Sequence, residues 1–86
     1  MRAGVTLHAR PTEAIRALGE VTPADGERSR LHMRGDTLDW LAFNLLALGC
    51  EFEVHEPPEL AAHLHALAAR LTRAAGTPAP EGSRSP

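Results

Sequence analysis

Eighty-six residues hold at most one domain. Nine arginines and no lysine stand against eleven acidic residues, a formal net charge of −2, so no strong field draws the chain to nucleic acid or to an anionic membrane. The uncharged run Trp40–Cys50 is too short to span a bilayer, the start lacks an apolar run of secretory length, and the single cysteine excludes an internal disulfide framework. A reducing cytoplasm is the expected setting.

From Val5 to Arg10 the residues alternate, with Val5, Leu7 and Ala9 on one face and Thr6, His8 and Arg10 on the other, which predicts a half-buried strand that Pro11 stops. Thr12 is a cap for a short helix whose apolar face is Ala14, Ile15 and Leu18, with Gly19 as its stop. Glu20–Thr22 reads as a short strand, Pro23-Ala24-Asp25-Gly26 as a turn, and Ser29–Arg34 as the returning strand of a hairpin. On that strand Leu31 and Met33 oppose Arg30, His32 and Arg34.

Asp36 reads as the N-cap of a second helix, with Asp39 in a capping-box-like place three residues on. Leu38, Leu41, Leu45 and Leu48 give its apolar face, which Trp40, Phe43 and Leu46 widen, and Gly49 ends it. Cys50–His55 alternates again, Cys50, Phe52 and Val54 against Glu51, Glu53 and His55. Pro57-Pro58-Glu59 opens a third helix with Leu60, Leu64, Leu67 and Leu71 as its buried stripe. The domain is expected over residues 1–75, and Gly76 to Pro86, with three prolines and no large apolar residue, is expected to be a disordered tail.

The order β-α-β-β-α-β followed by a helix predicts an α+β fold. The expected form is a ferredoxin-like plait with the strands ranked fourth, first, third, second and two helices on one face. Its polar face then carries His8, Arg10, Arg30, His32, Arg34, Glu51, Glu53 and His55, with arginines near the centre and glutamates on the edge strand. Such a row is either a solvated face with weak cross-strand ion pairs or a contact surface for a subunit, a domain or an anionic ligand. The arginines read as dispersed and matched by acids. The face has no aromatic residue on which nucleobases could stack.

No nucleophile elbow, phosphate-binding loop or paired cysteine motif is present, and neither catalytic activity nor a cofactor is expected. His63 and His65 are two apart on a helix and diverge by about 200°, so they do not share an ion. His8, His32 and His55 lie on neighbouring strands and are the one arrangement that could approach a zinc site. Cys50 reads as a small core residue and Trp40 as core or rim packing.

The run Asp36-x-Leu38-x-Trp40-Leu41, then Leu45-Leu46-x-Leu48-Gly49, then Val54-x-Glu56-Pro57-Pro58-Glu59-Leu60 resembles the last part of bacterial WYL-domain transcriptional regulators, the WYL C-terminal extension or WCX domain. The resemblance covers about residues 4 to 75. Members commonly place an arginine soon after the Pro-Pro-Glu-Leu step, where Ala61 and Ala62 stand here. The resemblance implies a non-enzymatic regulatory module that forms a homodimer. In those regulators a helix-turn-helix and a WYL domain precede the extension, which passes an effector signal to the DNA-binding part; from its net charge of −2 this chain is itself expected to contact neither DNA nor membrane. The alternative is a plait that senses a small ligand or a metal by itself.

Overall fold

The computed structural model describes residues 1–76. The expected tail therefore lies outside the described residues apart from Gly76, which follows the last helix with φ of +75°. The elements are β1 (Arg2–Leu7), α1 (Glu13–Arg16), β2 (Gly19–Ala24), β3 (Arg28–Arg34), α2 (Leu38–Ala47), β4 (Phe52–Glu56) and α3 (Pro58–Ala75). The strands form one antiparallel sheet in the order β2-β3-β1-β4, which is fourth, first, third, second when read from the other edge.

β1 occupies an inner position and is buried on both faces from Ala3 to Leu7. It begins earlier than the alternation suggests, at Arg2, and ends at Leu7. The chain turns there because the Ala9 carbonyl accepts a hydrogen bond from Ser29 Oγ at 2.6 Å and Pro11 cannot continue a ladder. β2 is an edge strand, which is where Pro23 is tolerated. The hairpin turn runs through Asp25, Gly26 and Glu27, with φ of +68° at Gly26 and +60° at Glu27.

Thr37, not Asp36, caps α2. Its hydroxyl accepts the Trp40 amide at 3.0 Å, which satisfies one of the helix's orphan donors. The cap shifts by one residue, so Asp39 falls in the first turn outside a capping box. Thr12 caps α1 in the expected way, accepting from the Ile15 amide at 3.2 Å.

One apolar cluster joins the inner sheet face (Ala3, Val5, Leu7, Leu31, Met33) to Ile15 of α1, Leu41, Ala42 and Leu45 of α2, and Leu60 and Leu67 of α3. Full burial of one such aliphatic side chain contributes about 1.5–3 kcal/mol. The three helices thus cover one face of the sheet, with α3 beside α2, and α3 does not cross to the other face. The leucine stripe of α3 is only partly buried: Leu60 and Leu67 are inside, Leu64 is half-buried, and Leu71 is 57% exposed. The cause is length. α3 has 18 residues against 10 in α2, and from Ala68 onward it is exposed on all sides.

Candidate functional site: the uncovered sheet face

The face away from the helices is built in rungs by the strand register. Thr6 of β1 stands between Arg30 of β3 and Glu53 of β4, and Arg30 has Thr22 of β2 on its other side. The neighbouring rung is Glu20, His32, Gly4 and Glu56 across all four strands. Beyond it Arg2 faces Arg34. The β1–β4 ladder slips by one residue between Gly4 and Val5, leaving His55 as the extra residue. A bulge of this kind bends the strand and re-aims the side chains next to it.

Polar contacts concentrate on the β1–β4 side. Thr6 Oγ1 and His55 Nε2 share a hydrogen bond of 2.7 Å, and this contact with its flanking side chains leaves Thr6 only 7% exposed on an otherwise open face. His8 Nε2 donates to Glu53 Oε2 at 2.7 Å. That bond, with the nearby charges of His8, Arg28 and His55, holds the Glu53 carboxyl below the usual carboxylate value against a smaller opposing effect of desolvation.

The eight residues expected on this face divide. Arg30, His32, Arg34, Glu53 and His55 are on it, and His8 reaches it from just past β1. Glu51 precedes β4, and its carbonyl accepts the His8 amide at 2.8 Å. Arg10 does not join. β1 ends three residues before it, and its guanidinium pairs with Glu27 in the hairpin turn. The zinc arrangement is not formed either. His55 is bonded to Thr6, His8 to Glu53, and among the described residues no three metal-ligating side chains converge.

Arg2, Glu20, Arg28 and Glu56 belong to the face and were not expected there. Their signal was present for two of them: Arg28 continues the alternation of β3 by one residue and Arg2 that of β1 by three, past Gly4, so β3 carries Arg28, Arg30, His32 and Arg34 in an unbroken exposed series. Glu20 and Glu56 join through register alone. The arginines are also not matched by acids. Among the described residues Arg10 has a carboxylate within ion-pair distance, whereas Arg2, Arg28, Arg30 and Arg34 have none. The result is a cationic β3 separated by β1 from the edge strand β4, which carries Glu53 and Glu56.

The helical layer has its own uncovered surface. Trp40, Phe43 and Leu46 of α2 are 41%, 52% and 50% exposed, although α2 buries its opposite side in the core. Among the described residues no helix is long and apolar enough to cross a membrane. No curated protein and no solved structure shows a significant match to the chain. The family model of the WCX domain matches residues 1–72, the whole sheet and nearly all of α3. The chain belongs to the WCX domain family.

Proposed function

We propose that this chain is the regulatory and dimerising module of a bacterial WYL-domain transcriptional regulator, a binding module rather than an enzyme. In this reading it is a ferredoxin-like plait with an added C-terminal helix. It works in the cytoplasm, pairs two subunits, and passes an effector's signal to a DNA-binding domain of the same polypeptide. WCX family membership supports the regulatory role, and the strand order supports the plait.

The observation that carries association is the charge layout of the open sheet face. β3 presents Arg28, Arg30 and Arg34, which have no ion-pair partner among the described residues, while β4, on the other side of β1, presents Glu53 and Glu56. A two-fold axis lying along β1 above the sheet brings β3 of each copy over β4 of the other, so cations meet carboxylates in both halves. Sedimentation velocity at about 100 μM tests this, since weak dimers form in the micromolar range. Wild type is expected to dimerise, and Arg30→Glu/Arg34→Glu is expected to be monomeric. A monomeric wild type removes the proposal.

A second surface is favoured by the exposed Trp40, Phe43 and Leu46, an apolar stripe that a partner helix would cover. If Trp40→Ser/Phe43→Ser abolishes the dimer and the arginine reversals leave it intact, association runs through α2 and not through the sheet.

A further inference from the structure

One end of the open face holds a depression of about 390 Å³, lined by Arg2, Glu20, His32, Arg34 and Glu56. Two adjacent rungs of the sheet make it. The outer rung is cationic, Arg2 opposite Arg34. The inner rung is Glu20, His32, Gly4 and Glu56, carboxylates at both ends with a glycine between them. Gly4 leaves that rung without a side chain at its centre. A Cβ there would meet Glu56 Oε1 at 3.0 Å and Glu56 Cγ at 3.2 Å, so the Glu56 side chain lies across the glycine. Among the described residues none of Arg2, Arg34, Glu20 and Glu56 has an oppositely charged partner within ion-pair distance.

We infer that this depression binds a small zwitterion, a neutral α-amino acid being the simplest member of the class. Arg2 and Arg34 take the carboxylate, for which guanidinium geometry is suited. Glu56 takes the ammonium group over Gly4, with Glu20 facing it from the other end of the rung. The two rungs are about 6.5–7 Å apart, two residues along a strand. That separation seats a carboxylate on one rung and an ammonium on the other when each makes a normal hydrogen bond. The fixed charges of the site sum to zero, two arginines against two glutamates. A simple anion would face two carboxylates and a simple cation two guanidiniums, so each is disfavoured relative to a molecule that carries both charges. One copy supplies every residue named, and pairing of two copies through the open face would cover Arg34 and Glu56, so ligand and second copy compete for this end of the sheet.

The test is a titration followed by backbone amide NMR shifts, with L-leucine as probe and 3-methylbutylamine and 4-methylpentanoate as its counterparts lacking one charge. Leucine is expected to give saturable shifts at Arg2, Gly4, His32 and Glu56, and each counterpart to bind at least about tenfold more weakly. Arg2→Gln/Arg34→Gln is expected to weaken leucine by a similar factor and to strengthen the amine, and Glu56→Gln to weaken leucine and strengthen the acid. Overlay of the remaining amide shifts checks that each variant is folded. Non-saturable shifts with leucine overturn the inference, as does a counterpart that binds as well as leucine, or a folded Arg2→Gln/Arg34→Gln variant that binds leucine like wild type.

Discussion

His63 of α3 donates from Nε2 to Asp39 Oδ1 of α2 at 2.6 Å, bridging the two helices through a residue in the first turn of α2. His63 is more covered than Asp39, with side-chain exposures of 27% and 58%. A bridge this exposed is worth at most about 1 kcal/mol. His63→Gln and Asp39→Asn are each expected to lower stability by a few tenths to about 1 kcal/mol, and the double variant is expected to cost less than their sum. Urea unfolding of the four proteins checks it. Strict additivity would mean that the two side chains do not interact.

The α3 leucines are expected to divide by burial. Leu60→Ala, at a fully buried site, should cost roughly 2–5 kcal/mol, a large share of the stability of a domain this size. Leu71→Ala should stay within about 0.5 kcal/mol, because Leu71 is 57% exposed. Periodicity alone places the two on the same stripe. Equal losses at both positions in thermal or urea melts would show that the end of α3 is covered in solution.

Two glycines separate steric from conformational cost. At Gly19 a Cβ would lie 2.1 Å from the backbone carbonyl oxygen of His32, so Gly19→Ala must displace β2 from β3. At Gly49 nothing lies within 4 Å, and the obstacle to alanine is a φ of +74°. Gly49→Ala is expected to cost about 1 kcal/mol and Gly19→Ala more than about 2 kcal/mol. Urea midpoints decide, and a Gly19→Ala protein as stable as Gly49→Ala would contradict the close strand approach.

Glu53 sets the direction of the acid response. Its carboxyl titrates below the ordinary glutamate value because His8 donates to it. A carboxyl depressed in the fold contributes stability that is present above its unfolded pKa and is lost as pH falls through the lower, folded value. Glu53→Gln is therefore expected to flatten the loss of stability below about pH 4.5, and His8→Ala to do the same in part. Unfolding free energies from pH 6 to pH 3 provide the measurement. Parallel curves for wild type and Glu53→Gln would contradict the pairing.

The element order was legible because residue polarity alternates in Val5, Thr6 and Leu7 and in Leu31, His32 and Met33, although only β3 buries a single face; in β1 Thr6 is covered as well. Both helix caps were nearly legible, but Asp36 and Thr37 are both good capping residues, and only the observed hydrogen bond to the Trp40 amide separates them. The open face was half legible. Arg30, His32 and Arg34 follow from period two, whereas Glu20 and Glu56 join the Gly4 rung through cross-strand register and a one-residue bulge, which no local pattern encodes. Arg10 was misplaced for the opposite reason: its alternation continues past the point where the backbone has left the sheet.

The central claim is that two copies meet through their open sheet faces with β3 of one over β4 of the other. A charge exchange tests it most directly. Arg30→Glu/Arg34→Glu makes both strands acidic, and Glu53→Arg/Glu56→Arg makes both basic, so each variant alone is expected to be monomeric at about 100 μM. Mixed in equal amounts, they restore opposite charges in both halves of the two-fold pair. Sedimentation velocity of the mixture is expected to show a heterodimer, with circular dichroism confirming that each variant is folded. A mixture of two folded variants that remains monomeric, or variants that each still dimerise alone, would contradict the account.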